Sequence, residues 1–123
     1  MEEFVKIFRA LGDPTRQRIV KLLASQDMYV CQLAYVLEVG QSNISQHLRV
    51  LREARLVSEE KLGWWTLYRL NRPYLDEVLQ KWSTFLDAPI PKTEGWLAIA
   101  ERVLEWEKTD TASACPPRKP ARA

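Results

Sequence analysis

The chain has 123 residues, enough for one domain with its own core and marginal for two. Hydrophobic residues make up 46% and charged residues 28%, an ordinary globular balance, and no apolar run reaches 18 residues, which excludes a membrane-spanning helix. The net charge of +2 is uneven: Lys108, Arg118, Lys119 and Arg122 against Asp110 give residues 108–123 a charge of +3, which leaves −1 for residues 1–107, so any anion-binding surface has to come from placement rather than excess.

The opening MEEFVKIF is acidic and has no cleavable apolar segment, so no secretory signal is expected and the expected location is the cytoplasm. Over residues 3–11, Phe4, Ile7, Phe8 and Leu11 recur at helical spacing. GDPTRQRIVKLLAS begins a second helix, with Asp13 as its cap, Pro14 at the first helical position, and Ile19, Leu22 and Leu23 turned inward. YVCQLAYVL predicts a short third helix with Val30, Leu33, Ala34 and Leu37 on one side. After it, Gly40 is a tolerable cap for a fourth helix running from Gln41 to Arg55.

LVSEEKLGWWTLYRL changes period. Two runs rich in Val, Trp, Thr and Tyr flank Lys61-Leu62-Gly63, the pattern of a β-hairpin turning near Gly63. Asn71 or Arg72 with Pro73 then opens a helix whose first turn suits Asp76 and Glu77 and whose apolar stripe is Leu75, Val78, Leu79, Trp82, Phe85 and Leu86. DAPIPK ends it, and TEGWLAIAERVLEWEK predicts a last helix carrying Leu97, Ala100, Val103 and Leu104. TDTASACPPRKPARA has the composition of a disordered tail. The expected organisation is therefore one mainly α domain with a small β-hairpin over residues 1–107, followed by a tail at 108–123.

The fourth helix begins QSNISQHLRVL, polar first and Leu-spaced only later. At 100° per residue, Ile44, Leu48 and Leu51 share one face, while Ser42, Ser45, Gln46 and Arg49 lie opposite. Gln41, Asn43 and Gln46 are side chains that pair bidentately with adenine, and Arg49 suits guanine or phosphate. A short helix, a tight turn at residues 38–40 and this helix make a helix-turn-helix, and a hairpin directly after it makes a wing, with Lys61 near the tip for phosphate. Double-stranded DNA is the expected partner. The bland alternative is a merely solvated helix, and a winged helix used only for protein contact calls for an apolar or acidic face that Ser42, Ser45, Gln46 and Arg49 do not supply.

LGDPTRQRIVKLL, QSNISQHLRVLREARLV, the glycine turn and YRL resemble the ArsR–SmtB family of metal-responsive bacterial repressors over residues 4–86. The resemblance implies a homodimeric winged helix-turn-helix repressor that binds an inverted-repeat operator and leaves it when an effector binds. By position it implies base reading by Gln41, Ser42, Ser45 and Gln46. Gly40 stands where the family often has a capping serine, and Trp64 and Trp65 are bulky for a wing. A dimer is also expected on physical grounds, since one recognition helix buries little surface. The stripes Phe4–Ile7–Phe8–Leu11 and Leu75–Val78–Leu79–Trp82 exceed what one small core needs, which assigns them partly to the interface.

The effector is less legible. Zinc-binding relatives use His and carboxylate clusters on their C-terminal helices, and this chain has no His beyond His47. Arsenic-sensing relatives carry CVC where this chain has Tyr29-Val30-Cys31, so Cys31 alone matches, with Cys115 in the tail as the only other thiol. The resemblance implies a thiophilic metalloid, As(III), as effector at Cys31 and Cys115; no other cofactor is expected. A thiol-based redox or persulfide response and a purely structural role for both cysteines stay open. His47 is expected to pack or hydrogen-bond within the helices, and the five tryptophans to pack. An enzyme built on Cys31 and His47 has no evident orienting acid or oxyanion loop, so a non-enzyme is expected.

Overall fold

The computed structural model describes residues 2–109. Its order is α1 (Glu2–Leu11), α2 (Pro14–Ser25), β1 (Met28–Tyr29), α3 (Val30–Leu37), α4 (Gln41–Glu53), β2 (Val57–Leu62), β3 (Trp65–Leu70), α5 (Arg72–Asp87) and α6 (Leu97–Glu107). The expectation of a disordered tail, and Cys115 with it, falls on residues 110–123, outside the described ones. No described helix is long and apolar enough to cross a membrane.

Local chemistry accounts for most boundaries. The Asp13 carboxylate accepts the Arg16 N–H at 3.0 Å, capping α2 just ahead of Pro14. Gln32 reaches back to accept the Tyr29 N–H at 2.9 Å at the start of α3. That helix ends when Glu38 turns left-handed (φ 55°) and Val39 N–H bonds to the Ala34 carbonyl at 3.1 Å. The same device ends α4: Arg55 has φ 65°, and the Leu56 and Arg55 N–H groups bond back to Leu51 and Arg52, each at 2.9 Å. The fourth helix is thus two residues shorter than periodicity predicts, because Leu51 and Leu56 close its end from inside the core.

The sheet is three-stranded, in the order β1-β3-β2, with both pairings antiparallel. The hairpin was expected; β1 was not, since two residues carry no period. Met28 and Tyr29 pair with Tyr68 and Leu67, giving β3 a partner on its second edge. The β2–β3 register runs from Val57 opposite Leu70 to Leu62 opposite Trp65, so the turn is Gly63-Trp64. Gly63 has φ +64° and Trp64 stays at negative φ, the dihedral pattern of a type II′ turn with glycine first.

The described residues form two compact units, one reaching to Ser83 and one starting at Thr84. The first has a core closed by Ile7, Ile19, Leu33, Ile44, Leu48, Leu51, Leu56 and Val78, drawn from α1 to α5. In the second, Phe85 and Trp96 meet edge to face at 5.9 Å, and α6 buries no side chain fully.

Candidate nucleic-acid interface

α3, the turn Glu38-Val39-Gly40 and α4 form the helix-turn-helix. The Gly40 carbonyl accepts the Ile44 N–H at 3.0 Å, so α4 starts at Gln41 although Gly40 brings no capping side chain. Ile44, Leu48 and Leu51 are wholly closed to solvent, and Gln41, Ser42, Asn43, Ser45, Gln46 and Arg49 are all exposed. One face of α4 is core. The other is a polar surface whose one charge, Arg49, forms no ion pair among the described residues.

Two junctions hold that surface in place. Arg16, on α2, donates from Nε to the Ala10 carbonyl at 2.6 Å, from Nη2 to the Arg9 carbonyl at 3.3 Å, and from Nη1 to His47 Nδ1 at 3.1 Å. Arginine only donates, so His47 Nδ1 is the acceptor and the ring hydrogen sits on Nε2. One guanidinium therefore ties the end of α1 to the middle of α4. Asp13 stands 3.8 Å from the same ring nitrogen, and its carboxyl is held below the ordinary range mainly by the Arg16 N–H. At the other end of α4, Arg52 pairs with Glu59 of β2 at 2.8 Å, and Tyr68 of β3 donates to the same carboxylate at 2.8 Å. Burial, then the bond to Glu59, pushes the Tyr68 phenol up to about 12, and that bond, followed by Arg52, lowers Glu59.

These contacts also mask acid on the hairpin. Glu59 is taken by Arg52 and Tyr68, and Glu60 by Arg69, which also holds Asp27 at 2.9 Å. Closer to the tip the only charge on β2 is the exposed Lys61. Beyond it Trp64 is 96% exposed, while Trp65 leans on the Tyr29 ring at 6.1 Å. A cleft of about 280 Å³ joins the hairpin tip to the start of α4; Tyr29, Val30, Cys31, Gln41, Ser45, Trp64, Trp65 and Thr66 line it.

Sequence reasoning missed Arg16, Arg52, Glu59 and Tyr68. The last two were within reach, because fixing the turn at Gly63-Trp64 puts Glu59 opposite Tyr68; Arg16 gave no comparable signal, since its partners are backbone carbonyls and a residue 31 positions away. His47 has the hydrogen-bonding role expected of it. It is not brought to Cys31, whose clefts are lined without it.

Cys31 is a half-buried free thiol at the start of α3. The described residues contain no group of three or more His, Cys, Asp or Glu placed to hold a metal ion. One thiol does not fit a trigonal arsenite site, which takes three thiolates. The interface expectation is narrowed in the same way: Phe4, Ile7, Leu75 and Val78 are buried within the single chain, which leaves Phe8, Leu79 and the half-buried Leu11 and Trp82 with surface for a second copy.

Comparison with known proteins gives a consistent picture. Residues 13–59, from the α2 cap through the helix-turn-helix into β2, match the model of "Bacterial regulatory protein, arsR family". The chain is 36% identical over 112 residues to the arsenic resistance transcriptional regulator ArsR1 of Pseudomonas putida, covering 89% of this chain and 84% of that protein. It is 41% identical over 68 residues to the arsenical resistance operon repressor of Escherichia coli, covering 54% and 58%. Its fold is similar to that of an ArsR-like transcriptional regulator from Rhodococcus sp. RHA1, at 27% identity and a TM-score of 0.64, over 87% of this chain and 91% of that one.

Proposed function

The chain belongs to the ArsR family of bacterial regulatory proteins and is a DNA-binding repressor with the winged helix-turn-helix fold, and from that premise we infer that it represses transcription as a homodimer on an inverted-repeat operator and is released by a thiol-directed effector. Residues 1–107 carry binding and dimerisation. Gln41, Ser42, Asn43, Ser45 and Gln46 meet base edges, and Arg49 and Lys61 meet phosphates. The observation that carries this reading is the division of α4 into a closed apolar face and a wholly exposed face of amides, hydroxyls and one guanidinium. Two such helices, about 34–36 Å apart in a dimer, match one turn of DNA. The relatives are named as regulators, which supports binding rather than catalysis.

The test is selection of duplexes from a random pool by the full-length protein, followed by shift assays on the selected and a scrambled duplex. Gln46→Ala costs about 1–3 kcal/mol on the selected duplex and little on the scrambled one. Lys61→Ala weakens both and flattens the salt dependence. If Gln41, Ser45 and Gln46 all become Ala with the preference intact, α4 is not the reading element.

Relatives named for arsenic resistance make arsenite the first effector to try, with oxidant and polysulfide beside it. Cys31 opens α3 and lines the cleft that Gln41 and Ser45 share, so a group bonded to it presses on the start of α4. Cys31→Ser leaves DNA binding intact and abolishes release, and Cys115→Ser blunts release. If a protein lacking both thiols is still released by every agent that releases the parent, the cysteines are structural.

A further inference from the structure

The wing is built unlike a purely electrostatic one. Its two acids are paired away, its tip turns on Gly63, and the residue placed at the summit is an indole with 96% of its surface in solvent. Trp65, its neighbour in sequence, is also exposed, at 56%, but its ring lies 6.1 Å from that of Tyr29, so Trp64 is the more open of the two. Trp64 is the indole presented in full. Indoles are among the side chains best able to bury area and to stack on π-faces, and exposing one fully wastes both properties unless something covers it.

Position identifies what covers it. Trp64 shares the mouth of one cleft with Gln41 and Ser45, so the tip stands on the side of the molecule that the polar face of α4 occupies. A duplex whose major groove admits α4 leaves only flanking backbone and minor groove for a second element on that side. Lys61, exposed on the strand that leads to the turn, is placed for the flanking phosphates. Apolar side chains that enter a minor groove do so as wedges between base steps, partly unstacking them.

We propose that Trp64 is such a wedge: with α4 in the major groove, its indole enters the adjacent minor groove and opens one base step beside the half-site. This rests on the DNA-binding reading above and adds to it a residue that senses how easily the flank deforms. The step it opens is a pyrimidine–purine step, TA or CA/TG, the steps that unstack most readily.

The test uses the full chain and the duplex that the wild-type protein selects, with 2-aminopurine placed in turn at each flanking position. Wild-type binding raises the fluorescence at one position per half-site, and changing that step to a stiffer one weakens binding. Trp64→Ala abolishes the rise and weakens binding about 5- to 100-fold, whereas Trp64→Phe keeps part of both. Since the side chain is solvent-exposed, circular dichroism and mass are unchanged in both variants. The proposal is overturned if Trp64→Ala keeps the rise or binds the duplex as wild type does, and equally if its only effect is a change in self-association. A wild-type protein that selects no duplex overturns the reading of α4 as well.

Discussion

Arg16 shows how much one side chain can organise. Its guanidinium donates to two carbonyls at the end of α1 and to His47 on α4, so it satisfies helix-end acceptors and fixes a ring tautomer together. Arg16→Lys keeps the charge and loses the fork; unfolding in urea gives a stability lower by about 1–3 kcal/mol with an unchanged slope. Tyr68 and Glu59 supply a pH signature. The phenol titrates near 10.0 in the unfolded chain and near 12 in the fold, so below pH 10 its contribution is complete, and between those values only the unfolded state loses the proton. Stability therefore falls across that window. Glu59 has the opposite sign: its folded value lies below 4.5, so its contribution is present above that pH and is lost as pH falls through the folded value. Tyr68→Phe removes the alkaline fall and weakens the acid one, read as the difference between variant and wild-type stability–pH curves.

At the scale of elements, capped or strongly periodic segments were legible and the ends set by tertiary contacts were not. Asp13-Pro14 announces α2, and Ile44, Leu48 and Leu51 announce the buried face of α4, because each signal lies within one or two turns of chain. β1 has two residues, too few to carry a period, and is defined only by its pairing with β3. The end of α3 was legible from the break in the apolar run before residues 38–40, whereas the end of α4 was hidden because Arg55, like Glu38, occupies a left-handed position that glycine would have advertised. Arg55 is compensated by its guanidinium lying 4.7 Å from the Tyr74 ring centre. Glu38 is exposed, so Glu38→Gly relieves about 1–2 kcal/mol of strain against about 0.5–1 kcal/mol of added chain entropy. A melting midpoint raised by a few degrees is the expected result. The polar face of the candidate site was legible from residues 41–49 alone, whereas the cleft linking it to Cys31 and Trp64 depends on how the hairpin folds back and has no local signature.

For the whole molecule, the proposed dimer needs surface that one chain leaves uncovered. Leu79, at 42% exposure, borders a cleft of about 420 Å³ that Leu11, Val20 and Leu75 also line. Trp82 is a poor probe of assembly because its ring packs edge-on against Phe4 and Phe8 at 5.2 and 5.0 Å, so replacing it disturbs the fold. Leu79→Glu is the cleaner change: sedimentation gives the 14.3 kDa single chain in place of the pair, and operator affinity drops with it. The outward side chains of α4 and the wing tip lie apart from the core side chains Ile44, Leu48 and Leu51. Exposed substitutions generally shift stability by no more than about 0.5 kcal/mol. A duplicated copy of such a gene can therefore drift to a new target sequence one residue at a time, each intermediate folding as well as its parent, and paralogues can come to divide a genome's promoters without any change to their interior.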